Sequence, residues 1–189
     1  GVPEEYDDKY DTTSLNPAPD GFYFADAFDS WRQNQTEPWA ACVNLMDAHR
    51  PFEPRERYDQ WGNNHCHSLQ ADLPVRWEWE FHGGKKPYWQ LQALEQLYDG
   101  GIRQADAIVE YIVTALRESG DLEQTLLVIC GDHGDGFGEP GHIANEPPAV
   151  SHIVPMSEAL LHVPLLVRPP VGGDGKQRHH PAALAFQTL

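Results

Sequence analysis

Residues 125–139, TLLVICGDHGDGFGE, constrain the fold more than any other stretch of the sequence. An apolar run ends abruptly at Gly131, and Asp132 and His133 follow directly. Such a run is typical of a buried strand, and ligands bind at the carboxyl ends of strands in open α/β sheets. A carboxylate beside an imidazole offers a divalent cation one hard oxygen and one borderline nitrogen. We therefore interpret Asp132 and His133 as metal ligands, the structural alternative being a capping aspartate followed by a surface histidine.

Two further apolar runs lie beside histidines. Residues 40–46 predict a strand that runs into Asp47 and His49 and then into a loop rich in proline. Downstream, His152 precedes a short helical stretch and a third predicted strand at residues 163–167. A single histidine is more often structural or exposed than catalytic. The recurrence of histidines at the ends of apolar runs favours a shared site.

Helical spacing of apolar residues predicts two helices, one before the strand at residues 40–46 and one between that strand and the run that begins at Thr125. A short helix is predicted over residues 22–33, and a longer one over residues 91–116. Gly100 and Gly101 are expected to kink or divide the longer helix. Helices that alternate with strands indicate an α/β architecture.

The order of these pieces resembles that of the sulfatases, a family of the alkaline phosphatase superfamily. Its members typically show D-x-H-x-P-[FY], then Y-D-x-x-I-x-x-x-D, then T-x-[VI]-[VI]-x-x-D-[HN]-G-x-x-x-G-E, and finally a His or Lys ahead of V-P-L-[LI]. The corresponding pieces begin here, in the same order, at Asp47, Tyr98, Thr125 and His152. The resemblance covers roughly residues 38–170. It implies an α/β fold, an alkaline-phosphatase-like sandwich with a mostly parallel central sheet that is incomplete in this chain.

The resemblance also implies roles for individual residues. Asp132 and His133 correspond to two ligands of one divalent cation, with Ca²⁺ expected from the family and Mg²⁺, Mn²⁺ and Zn²⁺ left open. His49 and His152 correspond to the groups that contact the sulfate oxygens and the oxygen of the leaving group. His142 competes with His152 for the second imidazole role and ranks below it on spacing.

The nucleophile of the sulfatases has no counterpart in the sequence. Sulfatases use formylglycine, made from the Cys or Ser of a C/S-x-P-x-R segment, and none of the three cysteines lies in such a segment. We therefore expect residues 1–189 to be a partial catalytic domain, inactive alone, whose N-terminal part with the nucleophile is missing. Residues 1–20 are predicted to form an irregular lead-in and residues 171–189 a tail.

Three functions remain open at this point. The first is a metal-dependent sulfuric ester hydrolase acting on a small-molecule or carbohydrate sulfate ester. The second keeps the same site but cleaves a phosphodiester or a phosphonate monoester, because His133 stands where many calcium sulfatases have Asn. The third is a non-catalytic remnant or binding module, which the missing nucleophile keeps in consideration.

The acidic composition restricts the partners. Asp and Glu outnumber Lys and Arg by 29 to 13, giving a formal net charge of −16, so we exclude nucleic acid and anionic membranes. We hypothesise a salt-adapted, haloarchaeal-type protein, since high ionic strength screens such repulsion, and an ordinary acidic protein is the alternative.

No apolar run reaches the ~20 residues of a membrane span and no signal peptide is visible. We expect a cytoplasmic protein, although export stays open because the natural start is expected to be missing.

Overall fold

The computed structural model describes residues 20–73, 77–140, 147–152 and 157–171. Its helices and strands follow in this order: α1 (Gly21–Arg32), α2 (Asn64–Ala71), α3 (Glu78–His82), α4 (Trp89–Glu118), β1 (Leu127–Cys130), β2 (Phe137–Glu139), β3 (Ala149–Val150), α5 (Glu158–Leu161) and β4 (Leu165–Arg168). A 3₁₀ turn at Asp121–Gln124 joins α4 to β1. Apart from Asp20 and Val171, the predicted lead-in and tail lie outside the described residues. In the described part of the chain, no helix is long and apolar enough to cross a lipid bilayer.

The 30-residue helix α4 organises the packing, because α1, α2 and β2 all contact it. Its buried leucines and isoleucine recur at helical spacing, so one apolar face is turned to the rest of the molecule. The main apolar cluster lies on this face and includes Phe52, Trp77, Phe81, Leu91, Leu94, Leu97, Phe137 and Val150. Both helices predicted from the sequence are present. α1 packs directly against α4, and the apolar cluster joins β2 and β3 to α4 through Phe137 and Val150.

The expected division of the long helix at Gly100 and Gly101 is wrong, since α4 continues through both residues. The two glycines instead allow other parts of the chain to approach closely. A Cβ atom on Gly101 would lie 2.3 Å from the carbonyl oxygen of Asp47, and one on Gly100 would lie 2.8 Å from Cγ of Pro54. Because glycine has no side chain, the segment that carries Asp47 can pack directly against the helix.

The strands form two antiparallel pairs. β1 pairs with β4, with Leu127 opposite Arg168 and Cys130 opposite Leu165. β2 pairs with β3, and Phe137 lies opposite Val150. The combination of helices and small sheets confirms an incomplete α/β fold. The parallel pairing predicted for the central sheet does not occur between the strands of the described ranges.

The predicted strand over residues 40–46 is not formed within the described structure. Burial alternates along this segment, with Val43 and Leu45 half-buried and Cys42, Asn44 and Met46 exposed. However, residues 40–45 make no backbone hydrogen bond to another described residue. Alternating burial is typical of a strand, but a strand also needs a neighbour with which to pair.

Candidate active site

Three histidines from separate segments meet in one cluster. The ring centroids of His133 and His152 are 4.5 Å apart, and those of His49 and His152 are 5.6 Å apart. Asp132 adjoins this cluster, with its Oδ2 atom 3.9 Å from Nε2 of His133. The four residues that the sequence predicts to contact a metal or the substrate therefore lie together: Asp132, His133, His49 and His152. His142, the competing candidate, lies outside the described residues.

Asp47 explains how His49 reaches this cluster. Its Oδ1 atom accepts a hydrogen bond from the backbone N–H of Gly21, at 3.1 Å, and another from Nε2 of Gln104, at 2.6 Å. These bonds attach the loop to the start of α1 and to α4. Asp47 is therefore a structural anchor, and His49 is the residue of its motif that contacts the other histidines.

Backbone carbonyl groups orient two of the three rings. Nδ1 of His49 donates to the carbonyl oxygen of Arg50 at 2.6 Å, and Nδ1 of His133 donates to that of Gly134 at 2.8 Å. Because a carbonyl oxygen only accepts, each Nδ1 must carry the hydrogen. In the neutral rings, Nε2 then keeps its lone pair. This arrangement is usual for histidines that bind metals, whose other ring nitrogen is held by the protein.

Asp135 is part of the cluster, although the sequence patterns did not single it out. Its side chain is 10% exposed, and its Oδ1 atom lies 3.9 Å from Nδ1 of His152. Burial raises the pKa of Asp135 to about 6, while a hydrogen bond from Gly136 and the charges of His133 and His49 act in the opposite direction. Asp135 lies in the same motif as Asp132, whose side chain is 83% exposed. The sequence indicated only Asp132, and the structure adds Asp135 as the buried acid of the pair.

Arg50 and Glu78 bring two further charges near the cluster. The guanidinium carbon of Arg50 lies 5.0 Å from the ring centroid of Trp77, and Glu78 of α3 is buried. Burial lowers the pKa of Arg50, while Glu78 and Asp135 act to raise it. Arg50 follows His49 in the sequence but was not singled out there, and nothing in the sequence linked α3 to this site.

Burial is also the main influence on the pKa of His152. It lowers the pKa of this imidazole, and the neighbouring His133 and His49 lower it further, against the opposing effects of Glu78 and Asp132. The lowered pKa favours a neutral ring at neutral pH. A neutral ring can exchange a proton with a bound group, which suits acid–base chemistry.

Asp132 and His133 fit part of a metal site. The 3.9 Å between their Oδ2 and Nε2 atoms allows both to contact one ion with bonds in the range of roughly 2.0–2.6 Å. Among the described residues, no group of three or more His, Cys, Asp or Glu side chains is arranged to hold a metal ion. Since divalent cations take four or more donors, the pair requires further ligands.

A sequence model of the Sulfatase family matches residues 3–186. The chain belongs to the Sulfatase family, which confirms the predicted alkaline phosphatase superfamily. The fold resembles the crystal structure of a phosphonate monoester hydrolase of Agrobacterium radiobacter, with a TM-score of 0.54 and 22% sequence identity over 78% of this chain. The chain spans 32% of that protein's length. No curated protein matches the sequence.

Proposed function

We propose that this chain forms the part of a metal-dependent sulfuric ester hydrolase that contacts the transferred sulfate. One observation carries the proposal: His49, His133 and His152 meet beside the carboxylate of Asp132 in a chain of the Sulfatase family. The substrate would be a small-molecule or carbohydrate sulfate ester, the class for which such a cluster is chemically suited.

The histidines offer what ester cleavage at sulfur requires. During the reaction, negative charge accumulates on the non-bridging oxygens and on the departing oxygen. Nε2 of His49, when the ring is protonated, would donate to a non-bridging oxygen, because Nδ1 of this ring already donates to the Arg50 carbonyl. His152, when protonated, would transfer a proton from Nε2 to the oxygen of the leaving alcohol. Contact with a sulfate group favours the protonated ring, since a nearby anion raises the pKa of an imidazole.

Asp132 and His133 would hold the divalent cation together with ligands other than this pair. When bound, the cation would supply positive charge that stabilises the oxyanion of the transition state. Ca²⁺ is the family expectation, while the nitrogen donor of His133 also suits Mn²⁺ or Zn²⁺, and Mg²⁺ remains an alternative. The nucleophile, formylglycine by family, would come from outside residues 1–189, because no C/S-x-P-x-R segment occurs in them.

Hydrolysis of a phosphodiester or a phosphonate monoester is the second candidate. A specific feature favours it: His133 offers a nitrogen donor that suits a borderline metal better than Ca²⁺. The solved protein of similar fold is named a phosphonate monoester hydrolase, which is in line with this alternative. Phosphoryl and sulfuryl oxygens are similar hydrogen-bond acceptors for Nε2 of His49 and His152. The two proposed functions are therefore distinguished by which anion, sulfate or a phosphorus-containing one, binds more tightly.

Anion binding to the chain tests the proposal without turnover. Sodium sulfate, inorganic phosphate and methylphosphonate would each be titrated into protein carrying ¹⁵N-labelled histidines, with the ring signals followed by NMR. We expect saturable changes at Nε2 of His49 and His152. His49→Ala and His152→Ala should each weaken binding by about tenfold or more, the cost of one charge-assisted hydrogen bond.

His162→Ala is the matched control, since this exposed histidine lies between α5 and β4 and has no role in the proposed site. It should leave the affinity unchanged. Sodium chloride at equal ionic strength controls for screening. Ring signals that do not respond to any of the three anions, or a response that survives both site variants, would contradict the proposal. Tighter binding of methylphosphonate than of sulfate would favour the second candidate.

A further inference from the structure

We infer that Asp135 is a positioning residue that holds the His152 ring with Nε2 available to the transferred group, an inference that rests on the proposed function. The other two rings of the cluster are held at Nδ1 by backbone carbonyls, those of Arg50 and Gly134. At His152, the side chain of Asp135 takes the corresponding place, because its Oδ1 atom faces Nδ1.

The geometry supports a pairing of specific atoms. Oδ1 of Asp135 lies 3.9 Å from Nδ1 of His152, close enough for electrostatic attraction and longer than a hydrogen bond. Such pairs often shorten when a substrate or transition state is bound. The charged or titratable side chains that act on His152 are those of His133, His49, Glu78, Asp132 and Asp135.

The local backbone holds Asp135 firmly in place. Its Oδ1 atom accepts a hydrogen bond from the N–H of Gly136 at 3.1 Å. Gly136 in turn exchanges two backbone hydrogen bonds with Ser151, the residue before His152. A Cβ atom on Gly136 would lie 2.7 Å from the carbonyl carbon of Ala149, so the two segments pack in direct contact. The carboxylate and the imidazole are therefore carried by two segments bonded to each other.

Burying a carboxylate costs free energy, so its position calls for a compensating role. Orientation of a histidine by a carboxylate is an established device in hydrolases, where it selects the ring nitrogen that carries the hydrogen. With Nδ1–H directed at Asp135, the proton on Nε2 of the imidazolium is the one that can leave. When the nucleophile forms its bond to sulfur and the bond between sulfur and the ester oxygen breaks, that proton ends on the leaving alcohol oxygen, and the ring is left neutral with hydrogen on Nδ1.

The tautomer of His152 can be measured without turnover. Ring ¹⁵N chemical shifts at about pH 8, above the ordinary imidazole pKa, distinguish hydrogen on Nδ1 from hydrogen on Nε2. We expect His152 to carry it on Nδ1 in the wild-type chain. Asp135→Asn and Asp135→Ala should both shift the ring signals of His152, whereas Asp106→Asn, an exposed acid on α4, should not. Unchanged His152 signals in both Asp135 variants would overturn the inference, whatever the chain's function.

Turnover of an aryl sulfate by the complete protein provides the second readout. Removal of Asp135 should lower kcat by about ten- to a hundredfold, the usual cost of losing the partner that orients a site histidine. KM should not rise, since the change also removes a negative charge near the bound anion. A fall in kcat with a shifted tautomer supports the inference. Unchanged kcat in the Asp135 variants overturns it if His152→Ala is impaired, whereas an unimpaired His152→Ala refutes the proposed function instead.

Discussion

Gly101 in α4 lies directly against the main chain of Asp47, where a methyl group on the glycine would be 2.3 Å from the carbonyl oxygen. Gly101→Ala should therefore push the loop that bears His49 away from the helix. The overpacking should cost about 1–3 kcal/mol, which outweighs the gain of roughly 1 kcal/mol from replacing glycine in a helix. Urea unfolding measures the loss of stability, and sulfate affinity reports the displacement of His49.

Gln92→Ala is the control for this substitution, because Gln92 is exposed on the same helix. It should change the unfolding free energy by no more than about 0.5 kcal/mol. A Gly101→Ala variant at least as stable as the wild type, with full sulfate affinity, would show that the contact does not position the site.

Asp135→Asn should stabilise the metal-free chain at neutral pH. The pKa of Asp135 is raised to about 6 in the folded protein, so the folded state binds the proton more tightly than the unfolded state. Its contribution to stability is therefore greatest below the unfolded pKa near 3.8, and it is lost as pH rises to about 6. Between pH 4 and pH 7, the unfolding free energy of the variant should rise relative to that of the wild type, by up to about 3 kcal/mol. Urea midpoints across this range provide the measurement, and a difference that does not depend on pH would contradict it.

Asp132→Ala should remove metal-dependent turnover of an aryl sulfate by the complete protein. The physical reason is the loss of a hard oxygen donor beside Nε2 of His133. Metal content after dialysis and activity after metal addition provide the measurements. Glu110 is an exposed acid on α4, and the control variant Glu110→Ala should keep the metal content and the activity of the wild type. Unchanged activity and metal content in Asp132→Ala would reject its assignment as a ligand.

His152→Ala should lower turnover by roughly a hundredfold or more, as expected for a lost acid or oxyanion contact. His142→Ala should have the smaller effect, since His142 ranks below His152 on sequence spacing. Rates for both variants of the complete protein, measured on one aryl sulfate, test the ranking. A large loss in His142→Ala together with full activity in His152→Ala would reverse it.

The unfolding midpoint should rise with KCl concentration if the acidic composition reflects adaptation to salt. The formal charge of −16 produces repulsion within the folded chain, and the screening length falls from about 10 Å at 0.1 M to about 3 Å at 1 M salt. Thermal unfolding at increasing KCl provides the measurement. A midpoint that stays constant or falls would favour an ordinary acidic protein.

Local patterns in the sequence were sufficient to predict four of the elements, α1, α4, β1 and β4, but not α2, α3, β2 or β3. The apolar spacing located α1 and α4, and the apolar runs located β1 and β4, because burial of one face leaves a periodic signal. The G-D-H-G motif and the D-x-H motif identified Asp132, His133 and His49 before their positions in space were known. The roles assigned to these residues remain predictions.

The sequence by itself determined the family, the principal elements and the residue types available for chemistry. Only the tertiary structure decided that Asp135 is buried beside His152 while Asp132 is largely exposed. It also decided that α4 continues through Gly101 so that the Asp47 loop can pack against it. The physical reason is that burial, ring orientation and pKa depend on contacts between segments far apart in the chain. Local composition and periodicity carry no record of those contacts.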